Sequence, residues 1–427
     1  MGSLTTTFPL SATPMDADSR PRLGLEQAEE MALSQHPALQ QATASVEAAA
    51  ARANGATANY LPQVTATGQY QRATDNTVPR RPGNPPDFDG TTFNRYALGA
   101  TASQLIYDFG QTSGKIGAAN ANEDAAKSNE QALRFQILTI VRRAYFQARA
   151  QEQLAAVASD ALANQEKHLQ QIDRLVEQGM RPEIDRLNAQ TAVANARVQV
   201  IAANNAYDLA CTAFTQALGL PAIPGYAPGN DDIAALPEEA KDTVTLVDLA
   251  LSRRPEMAAF AQQRKAQEAL LSAARGGYGP SLSAQANVSA GGAEVNHLIP
   301  NYWLGALVSW PLFQGGATNA QVREAKANLA LVRAQEDSFR LSIRIDVEQA
   351  FLTLKAAAAT LEAAGMASQS ARKQLQLAEA RYTAGMGSII ELADAQTSAT
   401  QAAAGEVNAR STLASARASL KGALGSP

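Results

Sequence analysis

Residues 111–178 read QTSGKIGAANANEDAAKSNEQALRFQILTIVRRAYFQARAQEQLAAVASDALANQEKHLQQIDRLVEQ, with no proline and with glycine only at Gly114 and Gly117. Leu133, Ile137, Ile140 and Ala144 recur at steps of four, three and four. A second row, Leu138, Val141, Tyr145 and Ala148, lies beside the first, and Leu162, Leu169, Ile172, Leu175 and Val176 continue the pattern. This spacing puts two adjacent apolar seams on one helix, which then needs a neighbour on each side. At ~1.5 Å per residue the helix would be about 100 Å long. Gly179 followed by Met180, Arg181 and Pro182 ends it.

A second such helix is expected at 317–384, before Gly385, Met386 and Gly387. Asn188-Ala189-Gln190-Thr191 lines up with Asp394-Ala395-Gln396-Thr397, and Ala217-Leu218-Gly219 with Ala423-Leu424-Gly425, both offset by 206. Pro37 lines up with Pro255, and Tyr60-Leu61-Pro62 with Tyr278-Gly279-Pro280, both offset by 218. The chain therefore reads as a tandem duplication. The expected layout is a flexible leading segment at 1–24, a first repeat at 25–219, a connector at 220–244 and a second repeat at 245–427. A unit of this size is a copied half-domain, larger than the ~20–50 residues of a solenoid repeat.

Between the helices the period changes. Val64, Ala66, Gly68 and Tyr70 alternate with polar residues, and Leu282, Ala284, Ala286 and Val288 do so again. Strands are expected at about 63–71, 93–105, 281–290 and 302–310, with proline-rich or glycine-rich loops between the members of each pair. Each has one apolar and one Ser/Thr/Gln/Asn face. Helices this long cannot fold back as a covering layer. A transmembrane β-barrel resolves the conflict, with the apolar side to lipid and the polar side to a wet lumen. Tyr70, Tyr96, Tyr302, Trp303 and Trp310 are candidates for its interfacial aromatic girdle. Four strands cannot close around a channel, so several copies of the chain are required. The fold class is mainly α with a transmembrane β-barrel.

Charge and composition exclude other classes. The net charge of −4 gives no electrostatic case for nucleic acid. No run of ~18 apolar residues marks a transmembrane helix. Cys211 stands alone and reads as a small packing residue, and His36, His168 and His297 are scattered, so no metal site is expected. Asp108-Phe109-Gly110 matches a kinase tripeptide but lacks the accompanying motifs. No nucleophile–base pair is evident, so neither an enzyme nor a cofactor is expected. Residues 1–22 hold no signal-peptide apolar core and no lipobox cysteine, and a targeting segment is expected to have been removed.

From about residue 25 to 425 the order of these features resembles the TolC family of outer-membrane channel proteins. Tyr60-Leu61-Pro62 resembles its entry to the first strand. Leu105-Ile106-Tyr107-Asp108-Phe109-Gly110 and Pro311-Leu312-Phe313-Gln314-Gly315-Gly316 resemble its strand-to-helix junctions. Gly179 with Asp185, Ala189 and Gln190, and Tyr382, Gly385, Asp394, Ala395 and Gln396, resemble its two helical tips. The resemblance implies a homotrimer with a 12-stranded barrel in the outer membrane of a Gram-negative bacterium and a long α-helical barrel in the periplasm. It implies a passive exit duct for efflux or type I secretion, with a periplasmic adaptor, an inner-membrane pump and outer-membrane lipid as partners. The rival reading is a soluble coiled-coil scaffold or adaptor, which leaves the four strands unexplained.

Glu391 and Asp394 are three apart and share a helix face. They are either solvated residues favoured near a helix N-terminus or, as the resemblance implies, carboxylate rings at a periplasmic gate. Asp185 and Tyr382 match further gate positions. The arginine usual at one latch position is replaced here by Gly387, and Arg381 or Arg181 is a candidate substitute. The turns carrying Gly179, Met180 and Arg181, and Gly385, Met386 and Gly387, are the expected adaptor-docking tips.

Overall fold

The computed structural model describes residues 20–75, 91–221, 225–232, 234–384 and 386–426. Strand β1 (Arg22–Leu23) is followed by α1 (Leu25–Gln35), α2 (Pro37–Ala58), β2 (Gln63–Asp75), β3 (Thr91–Tyr107), α3 (Gln111–Glu177) and α4 (Glu183–Ala217). Then come β4 (Ala227–Pro228), a 3-10 turn (Pro237–Ala240), α5 (Thr243–Arg253), α6 (Pro255–Gly276), β5 (Ser281–Gly292), β6 (Ile299–Ser309), α7 (Ala317–Thr383) and α8 (Ile389–Ala423). The two long helices stand one residue short of their expected ends, where the turns take over. All four expected strands form, and β2, β3 and β5 run further than the alternation indicated. The proline-rich loop expected at 74–92 lies outside the described residues except at its ends.

Two compact units each draw on both sequence repeats. The first comprises 1–42, 130–255 and 340–427. Its core is made where α3 meets α4 and the leading helices. Val141, Tyr145, Phe146 and Ala148 pack on Ala28, Ala32, Phe214, Leu218 and Ala414. Tyr145 meets Phe146 and Phe214 edge-on at 5.3 and 5.7 Å, a geometry worth ~0.5–1.5 kcal/mol per pair beyond burial. The connector is tied to this core by specific polar contacts. β4 pairs in parallel with β1, and the Tyr145 hydroxyl donates to Asp231 at 3.0 Å. Arg417 binds Glu239 at 2.8 Å. The buried Arg142 guanidinium donates twice to Glu29, at 2.6 and 3.0 Å.

The second unit comprises 43–129 and 256–339 and holds the four-stranded sheet, ordered β2-β3-β5-β6 and antiparallel throughout. Its register sorts the side chains by polarity. One face carries the rows Val64–Ala102–Ala286–Leu304, Ala66–Ala100–Val288–Tyr302 and Gly68–Leu98–Ala290–Pro300. The other carries Gln63–Ser103–Gln285–Gly305, Thr65–Thr101–Asn287–Trp303 and Thr67–Gly99–Ser289–Asn301. On that polar face Asn287 donates to Thr101 at 2.8 Å. Trp303 therefore leaves the expected lipid-side girdle, because it alternates with Tyr302. β6 accepts Pro300 because the proline is the second residue of the strand, where the ladder is only beginning.

Within the chain the apolar face is uncovered: Val64 is 71% and Leu304 82% exposed. Val64, Leu98, Val288, Tyr302, Leu304 and Val308 together forgo roughly 10–20 kcal/mol of burial, at ~1.5–3 kcal/mol for each side chain left in water. The outer edges of β2 and β6 also present unpaired backbone groups, which lipid does not tolerate.

The strand-to-helix junctions repeat one backbone shape. Phe109 and Gly110 have φ of +57° and +87°, and their counterparts Gly315 and Gly316 have +58° and +85°. Asp108 accepts from the Thr112 backbone N–H at 2.8 Å and from its hydroxyl at 2.5 Å, so it caps α3. The tripeptide that resembles a kinase motif is thus a helix start.

Candidate functional site

The candidate site is the pair of turns α3–α4 and α7–α8, both in the first unit. The first turn is closed by two backbone bonds, Gly179 N–H to Val176 at 2.9 Å and Met180 N–H to Leu175 at 2.9 Å. Gly179 sits at φ +72°, the left-handed value this helix ending requires. In the second turn Met386 N–H reaches Arg381 over the same sequence separation, at 2.9 Å. Gly385 lies outside the described residues. Gly387 is pressed against α7, where an added Cβ would stand 3.0 Å from the Tyr382 nitrogen. Any side chain there, an arginine's included, requires α7 or the turn to give by a few tenths of an ångström. Ser388 caps α8 by accepting from Glu391 N–H at 3.1 Å.

Tyr382 does not face open solvent. It is buried with Ala378, Leu392 and Ala395. Its ring meets the buried His168 edge-on at 5.5 Å, and the Arg181 guanidinium lies 5.4 Å from its centroid. Arg181 is also 3.9 Å from Asp185. One row further along, Gln165 donates to Gln396 at 3.0 Å. These contacts join the first turn to the second within one protomer. Arg381 pairs with Glu391 at 3.3 Å, both half-exposed, so that carboxylate already has a cation. Asp394 is exposed one turn on. Met180, Ile184, Met386 and Ile390 are exposed apolar residues around the turns.

The arrangement brings Asp185 and Tyr382 together through Arg181 and keeps Glu391 on a separate pair. Both candidate substitute arginines are engaged, each with a different partner. His168 is one of three histidines scattered along the sequence, so composition alone gives it no role. Its signal was helical register, since His168, Ile172 and Leu175 occupy one seam.

Burial holds His168 below the ordinary histidine pKa and raises that of Tyr382, where Arg181 opposes the rise. An opened tip would expose His168, which would then titrate near ~6.5. Below that pH the opened form takes up more protons than the closed one. The tip packing is therefore at full strength above pH ~6.5 and weakens as pH falls beneath it. His168 packs on Tyr382, whose ring Arg181 also approaches with Asp185 beside it, so an imidazolium would add a second cation to one ring. Lowering pH from 7.5 to 5 should speed amide hydrogen exchange around the two turns, and His168→Phe should flatten that dependence. An unchanged pH profile in the variant rules out His168 as its source.

A family description, outer membrane efflux protein, matches residues 29–220 and 246–426. Protein CyaE of Bordetella pertussis is 27% identical over 396 residues, covering 90% of this chain and 80% of the relative. Outer membrane protein OprJ of Pseudomonas aeruginosa is 26% identical over 396 residues, covering 86% and 77%. The crystal structure of the CmeC outer membrane channel of Campylobacter jejuni superposes with a TM-score of 0.82 at 18% identity, covering 94% of this chain and 85% of that one.

Proposed function

The chain belongs to the outer membrane efflux protein family, and from that membership we propose a passive exit duct whose mouth is set by the two helical tips. It is an outer-membrane protein of a Gram-negative bacterium that extends into the periplasm. It acts as a homotrimer with a periplasmic adaptor protein and an inner-membrane pump, and it is a conduit, not an enzyme. The two-faced sheet carries this reading. Its apolar side suits lipid, its polar side suits a wet lumen, and its two open edges suit neighbouring copies. A soluble scaffold would leave that face in water. Extraction separates the two: a scaffold is released by buffer or salt, whereas the duct requires detergent.

At the mouth, Asp185, Tyr382, Glu391 and Asp394 form the periplasmic gate. Its closed state rests on the packed Tyr382–His168–Arg181 group. Three copies would gather Glu391 and Asp394 around one axis. Like charges at about 4 Å repel by ~1 kcal/mol even in water, so such a ring draws cations. The two carboxylates are unequal, because Arg381 answers Glu391. Asp394→Asn should lower cation selectivity in planar bilayers more than Glu391→Gln does. Block by polyvalent cations from the periplasmic side should fall in the same order and weaken in high salt. Equal effects would show that the Arg381 pair does not mute Glu391; no effect from either places the constriction elsewhere.

The turns themselves, Gly179-Met180-Arg181 and Gly385-Met386-Gly387, are the proposed adaptor contacts. The exposed apolar residues Met180, Ile184, Met386 and Ile390 support this assignment.

A further inference from the structure

The lipid-facing side of the sheet is apolar along most of its height and then changes character abruptly. The row Tyr107–Leu282–Val308 lies at the helix end, and Tyr70–Tyr96–Gly292 lies at the loop end. Along β5 these rows are about ten residues apart, or ~34 Å at ~3.4 Å per residue. A strand tilt of ~35–45° reduces this to roughly 24–28 Å, close to the ~25 Å apolar band of an outer-membrane barrel. The Tyr70 and Tyr96 rings lie 5.0 Å apart, where an aromatic girdle belongs.

The next row outward on the same face is Arg72–Asn94. Arg72 is exposed, and no ion pair holds it among the described residues. The Tyr70 hydroxyl donates to the Asn94 side-chain oxygen at 3.2 Å, which leaves the Asn94 NH2 as a second donor. Arg95, one residue on, belongs to the lumen-side row with Gln71. All four helix connections leave the opposite end of the sheet, so this row is on the extracellular side.

We propose that Arg72, with Asn94 beside it, binds a phosphate of a phosphorylated outer-leaflet lipid, lipid A, immediately above the Tyr70–Tyr96 pair. The inference rests on the placement of the sheet in the outer membrane. A guanidinium suits the phosphate because it offers several donors in one plane with a fixed positive charge. The tyrosine pair below supplies flat amphipathic surface for the glucosamine rings and upper acyl chains. Three such sites would ring the barrel.

The test uses the full-length trimer in mild detergent, with bisphosphorylated lipid A and phosphate-free lipid A as probes and native mass spectrometry as the readout. Wild type should retain the bisphosphorylated lipid and release the phosphate-free one. Arg72→Gln should lower retention about tenfold, Arg72→Lys should keep part of it, and Arg95→Gln should match wild type. Outer-membrane fractionation and the trimer band on gels report insertion separately. If Arg72→Gln inserts, trimerises and retains lipid A like wild type, the proposal fails while the duct reading stands. Equal retention of the phosphate-free lipid, or equal loss in Arg95→Gln, also overturns it. If wild type does not fractionate with the outer membrane, both fail together.

Discussion

Gly279→Leu is expected to remove most of the folded trimer, and Phe109→Gly in the same chain is expected to restore it. A Cβ on Gly279 would stand 2.1 Å from Phe109 Cγ and 2.5 Å from its Cβ. No rotamer of the phenylalanine moves its own Cβ away. Overpacking of this kind costs ~1–3 kcal/mol or more. Phe109 already holds φ +57°, and the left-handed region adds ~1–2 kcal/mol for a residue with a Cβ. The duplication supplies the rescue. The counterparts of Gly279 and Phe109 are Leu61 and Gly315, so the corresponding positions of the other repeat carry a large residue where this junction has glycine and glycine where it has phenylalanine. Phe109→Gly removes the side chain that a leucine at 279 would strike and relieves the positive φ, so the double variant regains the space the single one lacks. The measurement is the yield of heat-resistant trimer in the outer membrane for both single variants and the double. Failure of the double variant to exceed Gly279→Leu would show that the two positions do not act on one another.

Tyr382→Ala should open the periplasmic mouth. The ring is buried, abuts His168 and lies under Arg181, and deleting a large buried aromatic costs ~3–5 kcal/mol. Breaking the half-exposed Arg381–Glu391 pair removes at most ~1 kcal/mol. Conductance should therefore rise several-fold in Tyr382→Ala and little in Arg381→Ala, with the trimer intact in both. The reverse order would mean that the ion pair, not the aromatic packing, holds the tip closed.

Periodicity made the long helices and all four strands readable, because both follow from which residues must avoid water. The strand ends were harder. β2 seemed to stop near residue 71 because Arg72 places a charge on the apolar face. The ladder continues to Asp75 because backbone pairing does not depend on side-chain polarity. Pro300 concealed the start of β6, since proline has no ladder N–H and is tolerated there only because it falls at the strand's beginning. The two-residue pairing of Arg22–Leu23 with Ala227–Pro228 has no local pattern at all. At the tips the resemblance implied Tyr382 and Asp185 and left Arg181 a candidate, but the ring that Tyr382 meets, His168, comes from a helix some two hundred residues earlier. Helical register could have placed His168 on a seam, although nothing local indicated which ring it would meet.

The central claim is that one chain is a third of a duct closed by its neighbours. Light scattering of the purified protein at micromolar concentration, with bound detergent subtracted, tests it most directly. The expected protein mass is three times that of the 44.9 kDa chain. A particle with the mass of a single chain would contradict it.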